Sequence, residues 1–235
     1  MANHTSFENS MIVGGRFKNA GGAQVNYIAS WDGESWGSLG TGMTDSIEMI
    51  GLVLVLTTYQ GNLIAGGGFS AAGGVPANRI ARWDGNAWYP LGSGVGGNGG
   101  TVDALAVFNG ELIAGGWFTS AGGSAASRAA RWNGTAWHPL GTGLNAWVWT
   151  VSVHNGSSFA GGGFTVAGDI PARGVASWNG NTWAPLGSGV ELWAYCSTVF
   201  EGEVVFGGWF RTAGGATANH IAKWRGDQIL IAGFE

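Results

Sequence analysis

The sequence predicts an all-β protein, a five-bladed β-propeller with four-stranded antiparallel blades. Three observations lead to this prediction. One motif recurs five times along the chain, turn-forming dipeptides separate short apolar runs, and the composition combines 46 glycines and 14 tryptophans with only 10% charged residues. Abundant large apolar side chains supply surface worth burying, so the glycine content does not indicate a disordered chain.

The recurring motif reads Gly-Gly-x-Phe, Ala-Gly-Gly, Ile-Ala-x-Trp, Gly-x-x-Trp and Leu-Gly. Its phenylalanine and its first tryptophan both step by 52, 49, 46 and 46 residues. Dividing the 235 residues by five gives 47 residues per repeat, and a period in the forties is typical of propeller blades. We therefore expect one domain over 1–235, with repeats near 1–43, 44–95, 96–144, 145–190 and 191–235. The motif positions are Phe17, Phe69, Phe118, Phe164 and Phe210, with Trp31, Trp83, Trp132, Trp178 and Trp224.

Each repeat contains four apolar runs, called strands a to d. In the third repeat they cover 102–108, 111–118, 128–132 and 136–140, and a glycine-rich loop, Thr119–Ser127, joins b to c. Asn-Gly and Asp-Gly between apolar runs predict type I′ hairpin turns, whose two central residues both need positive φ. The predicted c–d turns are Asp32-Gly33, Asp84-Gly85, Asn133-Gly134 and Asn179-Gly180, and the predicted a–b turns are Gln60-Gly61, Asn109-Gly110, Asn155-Gly156 and Glu201-Gly202.

Two features of the repeat predict how blades pack. The glycine pairs of strand b suit places where neighbouring backbones crowd together, because glycine otherwise weakens a strand. The tryptophans of strands c and d, nine of the fourteen, should form aromatic walls between adjacent blades. The terminal repeats deviate: the first strand, 2–7, is polar, and Ile229 replaces the second tryptophan of the last repeat. We expect the ring to close between these two segments; the alternative is an open array that needs a second chain.

With these residues in view, the pattern resembles the bacterial β-propeller repeats grouped with kelch-like, galactose-oxidase-central-domain and cortical-polarity-marker sequences. Residues 115–143 match the repeat almost throughout, and the resemblance covers about 7–224. It implies the propeller architecture and a surface-associated or extracellular protein of unassigned role. It implies no catalytic residue, because the matching positions are turn and core residues.

Composition excludes several function classes. A net charge of −4 and the lack of any Lys/Arg cluster argue against a nucleic-acid partner. The single cysteine, Cys196, and four scattered histidines offer no metal-ligand spacing. No signal peptide is visible at the start, and the most apolar run, 47–56, is too short to span a bilayer. We expect a monomer with no cofactor, no metal and no membrane insertion.

Candidate binding residues lie on the face of the blades that carries the b–c and d–a connections, because these connections differ in residue type and the d–a connections also vary in length. Aromatic rings beside Asn, Arg or Asp suit a sugar, although such rings more often serve burial within a strand. The candidates are Tyr27, Arg79, Arg128, Trp147, Trp149, Arg173, Trp193, Tyr195 and His220.

Three functions follow. The first is a non-enzymatic binding or scaffold propeller that presents these connections to a ligand or protein, and the second is a carbohydrate-binding lectin. The third is a carbohydrate-active enzyme at the channel mouth, which would need two carboxylates within roughly 10 Å of each other. Its candidates, Asp45, Glu48, Asp103 and Glu191, occupy different places in their repeats, so no pairing follows from the sequence.

Overall fold

A computed structural model describes residues 3–44, 52–97, 99–225 and 228–231. Strands, turns and bends account for the regular structure of these ranges, and no helix within them could cross a membrane. The chain divides into two compact units, called unit 1 (Met1–Leu105 with Phe118–Ser124) and unit 2 (Ala106–Trp117 with Ala125–Glu235).

Five antiparallel sheets of four strands lie in the described ranges, and each belongs to one repeat. We number them sheet 1 to sheet 5 and the strands β1–β32 in chain order. Sheet 1 contains β1 (Asn3–Phe7), β2 (Ser10–Gly14), β5 (Ile28–Trp31) and β6 (Trp36–Ser38). Sheet 2 contains β8 (Val53–Tyr59), β9 (Asn62–Gly67), β12 (Ile80–Trp83) and β13 (Trp88–Pro90). Sheet 3 contains β15 (Thr101–Phe108), β16 (Glu111–Trp117), β19 (Ala129–Trp132) and β20 (Trp137–Pro139). Sheet 4 contains β21 (Val148–His154), β22 (Ser157–Gly162), β25 (Val175–Trp178) and β26 (Trp183–Pro185). Sheet 5 contains β27 (Trp193–Phe200), β28 (Glu203–Trp209), β31 (Ile221–Arg225) and β32 (Gln228–Ile231).

The b–c connections, predicted as loops, contain short hairpins. In the first repeat Asn19 and Ala20 pair with Gln24 and Ala23 around Gly21 and Gly22, whose positive φ values of 56° and 87° fit a two-residue type I′ turn. The sequence reading missed these hairpins because their strands are only two residues long. The short strands of the b–c connections are β3 (Asn19–Ala20), β4 (Ala23–Gln24), β10 (Ala71–Ala72), β11 (Val75–Pro76), β17 (Ser120–Ala121), β18 (Ser124–Ala125), β23 (Val166–Ala167), β24 (Ile170–Pro171), β29 (Thr212–Ala213) and β30 (Ala216–Thr217). Two further short strands, β7 (Met43–Thr44) and β14 (Val95–Gly96), lie in d–a connections and pair with β10 and β17.

The two kinds of hairpin turn differ in conformation. The a–b turns have positive φ at both central residues, as in Asn155-Gly156 (45° and 69°), so the type I′ prediction is confirmed there. Glu8-Asn9 makes the same turn in the first repeat without glycine. At the c–d turns the prediction was wrong: of Asp32 and Gly33 only the glycine has positive φ. There the Asp32 carboxylate accepts hydrogen bonds from the Glu34 and Ser35 amides, both at 2.8 Å, and this Asx turn explains the Asp or Asn at that position.

The glycine pairs of strand b lie where the backbone is crowded, as predicted. A Cβ added to the first glycine of sheet 2, Gly66, would lie 2.6 Å from Cγ1 of Val102, the second residue of the following strand a. A Cβ on the second glycine, Gly67, would lie 2.1 Å from the carbonyl oxygen of Leu52. In unit 2, Gly162 meets the carbonyl oxygen of Trp147 in the same way at 2.0 Å. Each pair therefore permits close packing that any side chain would prevent.

The tryptophans of strands c and d face each other across their hairpin and pack on the preceding repeat. The Trp83 and Trp88 ring centroids are 5.3 Å apart, and Nε1 of Trp88 donates to the Leu39 carbonyl at 2.8 Å. In unit 2, Nε1 of Trp183 donates to the Leu140 carbonyl at 2.9 Å. The predicted contact between adjacent repeats is confirmed at these two pairs.

The two ends of the chain belong to different sheets. The polar first strand pairs with its own repeat, with Asn3 opposite Gly14. In sheet 5, Ile229 lies opposite Trp224, in the register that the second tryptophan has in the other repeats. The terminal strands are therefore each the fourth member of their own sheet.

Candidate functional site

Five tryptophans lie outside the repeat motif, and all five meet in unit 2 together with one tyrosine. We call this group the aromatic cluster. Its ring centroids are separated by 5.0 Å (Trp117 to Trp147), 5.9 Å (Trp147 to Trp149) and 4.9 Å (Trp149 to Tyr195). The T-shaped contact of Trp193 with Trp209, at 5.5 Å, completes it. Its members are Trp117, Trp147, Trp149, Trp193, Tyr195 and Trp209.

Three repeat positions supply these rings. Trp117 and Trp209 are the variable residue of Gly-Gly-x-Phe at the end of strand b. Trp147 and Trp193 lie at the start of strand a, two positions before Trp149 and Tyr195. Trp149 and Tyr195 sit where the a–b register skips, between Val148 and Thr150 and between Ala194 and Cys196. Such bulges redirect a side chain that regular pairing would aim elsewhere. They therefore affect the direction of two of the six rings, Trp149 and Tyr195, and sheet 2 has the same skip between Val53 and Val55.

A glycine makes room for the middle of the cluster. Gly163 occupies the Gly-Gly-x-Phe position that is tryptophan in the repeats before and after it. A Cβ there would lie 3.1 Å from Cη2 of Trp149 and 3.2 Å from Cδ1 of Trp193. At this repeat position the third, fourth and fifth repeats therefore have a large, a small and a large residue, Trp117, Gly163 and Trp209, and the small one leaves space for the neighbouring rings.

An arginine covers one end of the row. The Arg128 guanidinium carbon lies 3.8 Å from the centroid of the Trp117 ring, and this geometry gives a cation–π contact. Arg128 has φ of 64°, a left-handed conformation rare for a residue with a side chain. Its burial lowers the pKa of its guanidinium.

The other end of the row is open. Trp193 is 37% exposed, Tyr195 42% and Trp209 56%, which is unusual for rings of this size. Beside them lies a groove of about 450 Å³, whose floor is the glycine backbone of strand b and whose flanks are aromatic. Nδ1 of His220 lies 3.2 Å from the carbonyl oxygen of Gly208 in this groove. The lining residues are Tyr195, Cys196, Gly207, Gly208, Trp209 and His220.

The corresponding positions of unit 1 have a different chemistry. Arg16 takes the Gly-Gly-x-Phe position in the first repeat and lines a cleft of about 310 Å³ with Phe17, Lys18 and Tyr27. Thr101, which aligns with Trp147, donates to Asp103, which aligns with Trp149, at 2.7 Å. Unit 1 therefore presents cationic and polar groups where unit 2 presents aromatic rings.

Six of the nine residues predicted from the sequence come together in unit 2, in the aromatic cluster or against it. Arg173 stays outside this group: its carbonyl accepts the Val190 amide at 2.9 Å, which is the role of Asn78 toward Val95 in unit 1. The two other predicted residues lie in unit 1, where Arg79 donates from Nε to the Gly100 carbonyl at 2.8 Å. The six are Arg128, Trp147, Trp149, Trp193, Tyr195 and His220, and the two in unit 1 are Tyr27 and Arg79.

Sequence reasoning missed Trp117 and Trp209. Their signal was available, since they are tryptophans at a repeat position that is otherwise arginine or glycine. The proximity of that position to the start of strand a became visible only with the register of the sheets.

The carboxylates considered for catalysis are held in separate local contacts. Asp103 accepts the Thr101 hydroxyl at 2.7 Å, and Glu191 accepts the Thr212 hydroxyl at 2.9 Å. Asp45 and Glu48 lie outside the described residues. Within the described ranges, no three His, Cys, Asp or Glu side chains form a group that could hold a metal ion.

Comparison with known proteins gives the fold. No protein-family model matches the chain, and no curated protein matches it. The structure of YjhT is 13% identical and matches with a TM-score of 0.56 over 98% of this chain and 83% of YjhT. The structure of YCF48 bound to D1 peptide is 15% identical, with a TM-score of 0.52 over 97% of this chain and 64% of YCF48, so the chain spans less than two thirds of that protein. Both are β-propeller proteins, and the likeness shows a β-propeller fold for this chain.

Proposed function

We propose that the chain is a five-bladed β-propeller, one blade per four-stranded sheet, that acts as a non-enzymatic binding module. Its ligand is a polypeptide, held at the open end of the aromatic cluster. The observation that carries the proposal is the exposure of Trp193, Tyr195 and Trp209 beside a groove with a glycine floor. One domain over 1–235, a monomer and the kelch-like relationship belong to the same proposal.

The exposed rings support a binding role on energetic grounds. Burying one large apolar side chain is worth roughly 2 kcal/mol, and this chain leaves three adjacent aromatic rings partly in water. Contiguous exposed apolar surface of this kind marks interaction sites in soluble proteins. A ligand that covers the rings would bury the apolar surface that folding leaves exposed to water.

A polypeptide fits the groove better than a sugar does. Sugar recognition uses free ring faces and several side-chain hydrogen bonds. Here the Trp147 ring packs against Trp117 and Trp149, and none of the residues that line the groove has a carboxylate or carboxamide side chain. Among proteins of this fold, YCF48 has been solved with a peptide bound.

A carbohydrate-binding role is the second candidate, because Tyr195 and Trp209 leave exposed ring surface on which a sugar could stack. The carbohydrate-active enzyme receives no support from the described carboxylates, whose contacts are local. A surface or extracellular location stays a prediction from the family resemblance.

The test uses a peptide array and a glycan array probed with the folded chain. We expect wild type to retain peptides and Trp209→Ala to lose them at least tenfold. Tyr89→Ala is the matched control, since Tyr89 is also a strongly exposed aromatic residue (39%) but lies in unit 1. Retention of glycans alone, lost in Trp209→Ala, would favour the lectin. Peptide binding that survives Trp209→Ala contradicts the proposed site.

A further inference from the structure

Two c–d turns of unit 2 have asparagine followed by glycine, Asn133-Gly134 in sheet 3 and Asn179-Gly180 in sheet 4. The glycine nitrogen of such a pair can attack the side-chain carbonyl carbon of the asparagine and close a five-membered imide, because glycine has no side chain to hinder the approach. Both asparagines are exposed, so water reaches the reacting group. The two turns therefore offer the same reaction in two different surroundings.

Hydrogen bonds fix the orientation of the Asn133 carboxamide. The atom that faces the backbone amides of Thr135, at 3.0 Å, and Ala136, at 2.8 Å, must be the oxygen, since amide N–H groups only donate. The Thr135 hydroxyl donates to the same Oδ1 at 2.9 Å. Three donors therefore surround the oxygen that becomes negatively charged when the carbonyl carbon is attacked, as in an oxyanion hole.

The same orientation places the carboxamide nitrogen beside a histidine of strand d. Nδ2 of Asn133 lies 3.1 Å from Nε2 of His138. Nδ2 is the atom that leaves as ammonia when the imide closes, and it needs a proton in order to leave. Histidine is the side chain that most often supplies such a proton.

Asn179 has the same kind of turn without the imidazole and without the hydroxyl bond to Oδ1. Its Oδ1 accepts the amides of Asn181 and Thr182, both at 2.9 Å. Its Nδ2 donates to the Thr182 hydroxyl at 3.3 Å, and Ala184 has the strand d position that His138 has in sheet 3. Asn179 is therefore an internal control for the effect of the turn itself.

We propose that Asn133 is a self-modification site, at which the chain converts this asparagine to aspartate or isoaspartate with His138 as the general acid. The Gly134 nitrogen forms a bond to Cγ of Asn133 and loses its proton to water. The Cγ–Nδ2 bond then breaks, and Nδ2 leaves as ammonia with a proton from Nε2 of the imidazolium form of His138, which water reprotonates. A second water molecule opens the imide at either carbonyl.

The turn accommodates the aspartate product. In sheet 2 the Asp84 carboxylate accepts the corresponding amides, Asn86 at 2.9 Å and Ala87 at 2.8 Å, so an aspartate at 133 can keep the turn. The isoaspartate product adds a methylene to the backbone and should disrupt these hydrogen bonds. None of the reacting residues belongs to the aromatic cluster, so the inference does not depend on the proposed function.

The test follows both asparagines in one sample of the folded chain, incubated in warm neutral buffer and analysed by peptide mapping with mass spectrometry. Asn133 should convert about tenfold faster than Asn179, less than a general acid contributes in a closed active site because this turn is open to water. The chain unfolded in urea should lose the difference, since the hydroxyl and the imidazole are then no longer held against the carboxamide. Equal rates in the folded chain, or a faster rate at Asn179, overturn the proposal.

Variants separate proton donation from a structural role. His138→Ala should slow conversion at Asn133 to the rate of Asn179, and imidazole added to the buffer should restore part of it. His138→Gln keeps a hydrogen-bonding side chain but supplies no proton, so it should be as slow. His154→Ala is the matched control and should change neither rate. An unchanged rate at Asn133 in either His138 variant, folded by circular dichroism, overturns the role of His138.

Discussion

Units 1 and 2 are built from one repeat and differ at a few positions that the frame does not fix. Both units use the strand b glycine pair and the paired tryptophans of strands c and d in the same contacts. They diverge at the variable residue of Gly-Gly-x-Phe and at the start of strand a. There unit 1 has Arg16 and Asp103, and unit 2 has tryptophans and a tyrosine. The comparison indicates that the frame specifies the fold and these positions specify the site.

The largest expected effect separates frame tryptophans from site tryptophans. Trp183→Ala in unit 2 and Trp88→Ala in unit 1 should each lower the free energy of unfolding by about 4 kcal/mol, the usual cost of truncating a buried tryptophan. Both rings are buried and donate a hydrogen bond to the preceding repeat. Trp209→Ala should cost less than about 1 kcal/mol because that ring is mostly exposed. Urea denaturation measures all three, and equal losses for Trp183→Ala and Trp209→Ala would contradict the distinction.

The next effect tests whether both units share the same close approach in strand b. Gly67→Ala and Gly162→Ala should each destabilise the protein by about 3 kcal/mol, since the new Cβ would lie 2.1 Å or 2.0 Å from a backbone carbonyl oxygen. Gly156→Asn is the control: its turn has space around it, and Asn9 holds the same turn position with φ of 64°. Thermal unfolding of the three variants should show large shifts for the first two alone. A small shift for either alanine variant would show that the frame can relax at that point.

The sequence predicts most of the fold and only part of the candidate site. The period, the four strands and the buried phenylalanines follow directly from repeated residues. The c–d turns did not, because Asp-Gly suits both a type I′ turn and an Asx turn, and only φ of Asp32 separates the two. Part of the site could be predicted, since Trp147, Trp149, Trp193 and Tyr195 were candidates. The bulges at Trp149 and Tyr195 and the space left by Gly163 could not, because they are properties of strand register and packing.

The smallest expected effect concerns acid stability. Asp84 in unit 1 accepts the Ala87 and Asn86 amides, and these bonds hold the pKa of its carboxyl below the ordinary 3.8. Hydrogen bonds to the backbone lower the pKa of Asp32 in the same way. Unit 2 has Asn133 and Asn179 at these turns, which do not titrate.

Because the folded pKa is depressed, the contribution of each carboxylate is present above its unfolded pKa and is lost as the pH falls through the folded value. Asp32→Asn with Asp84→Asn should keep the turns and reduce the loss of stability on acidification below about pH 4. Unfolding curves recorded from pH 6 to pH 2 measure the slope. An unchanged slope would contradict the assignment of these two carboxyls.

The most direct test of the proposed site follows the indole N–H signals of the tryptophans by NMR during titration with a peptide that the array retains. The signals of Trp193 and Trp209 should shift progressively, while those of Trp31, Trp36, Trp83 and Trp88 in unit 1 should stay in place. Shifts confined to the unit 1 signals, or no shift at Trp209 at saturating peptide, would contradict the placement of the binding site at the open end of the aromatic cluster.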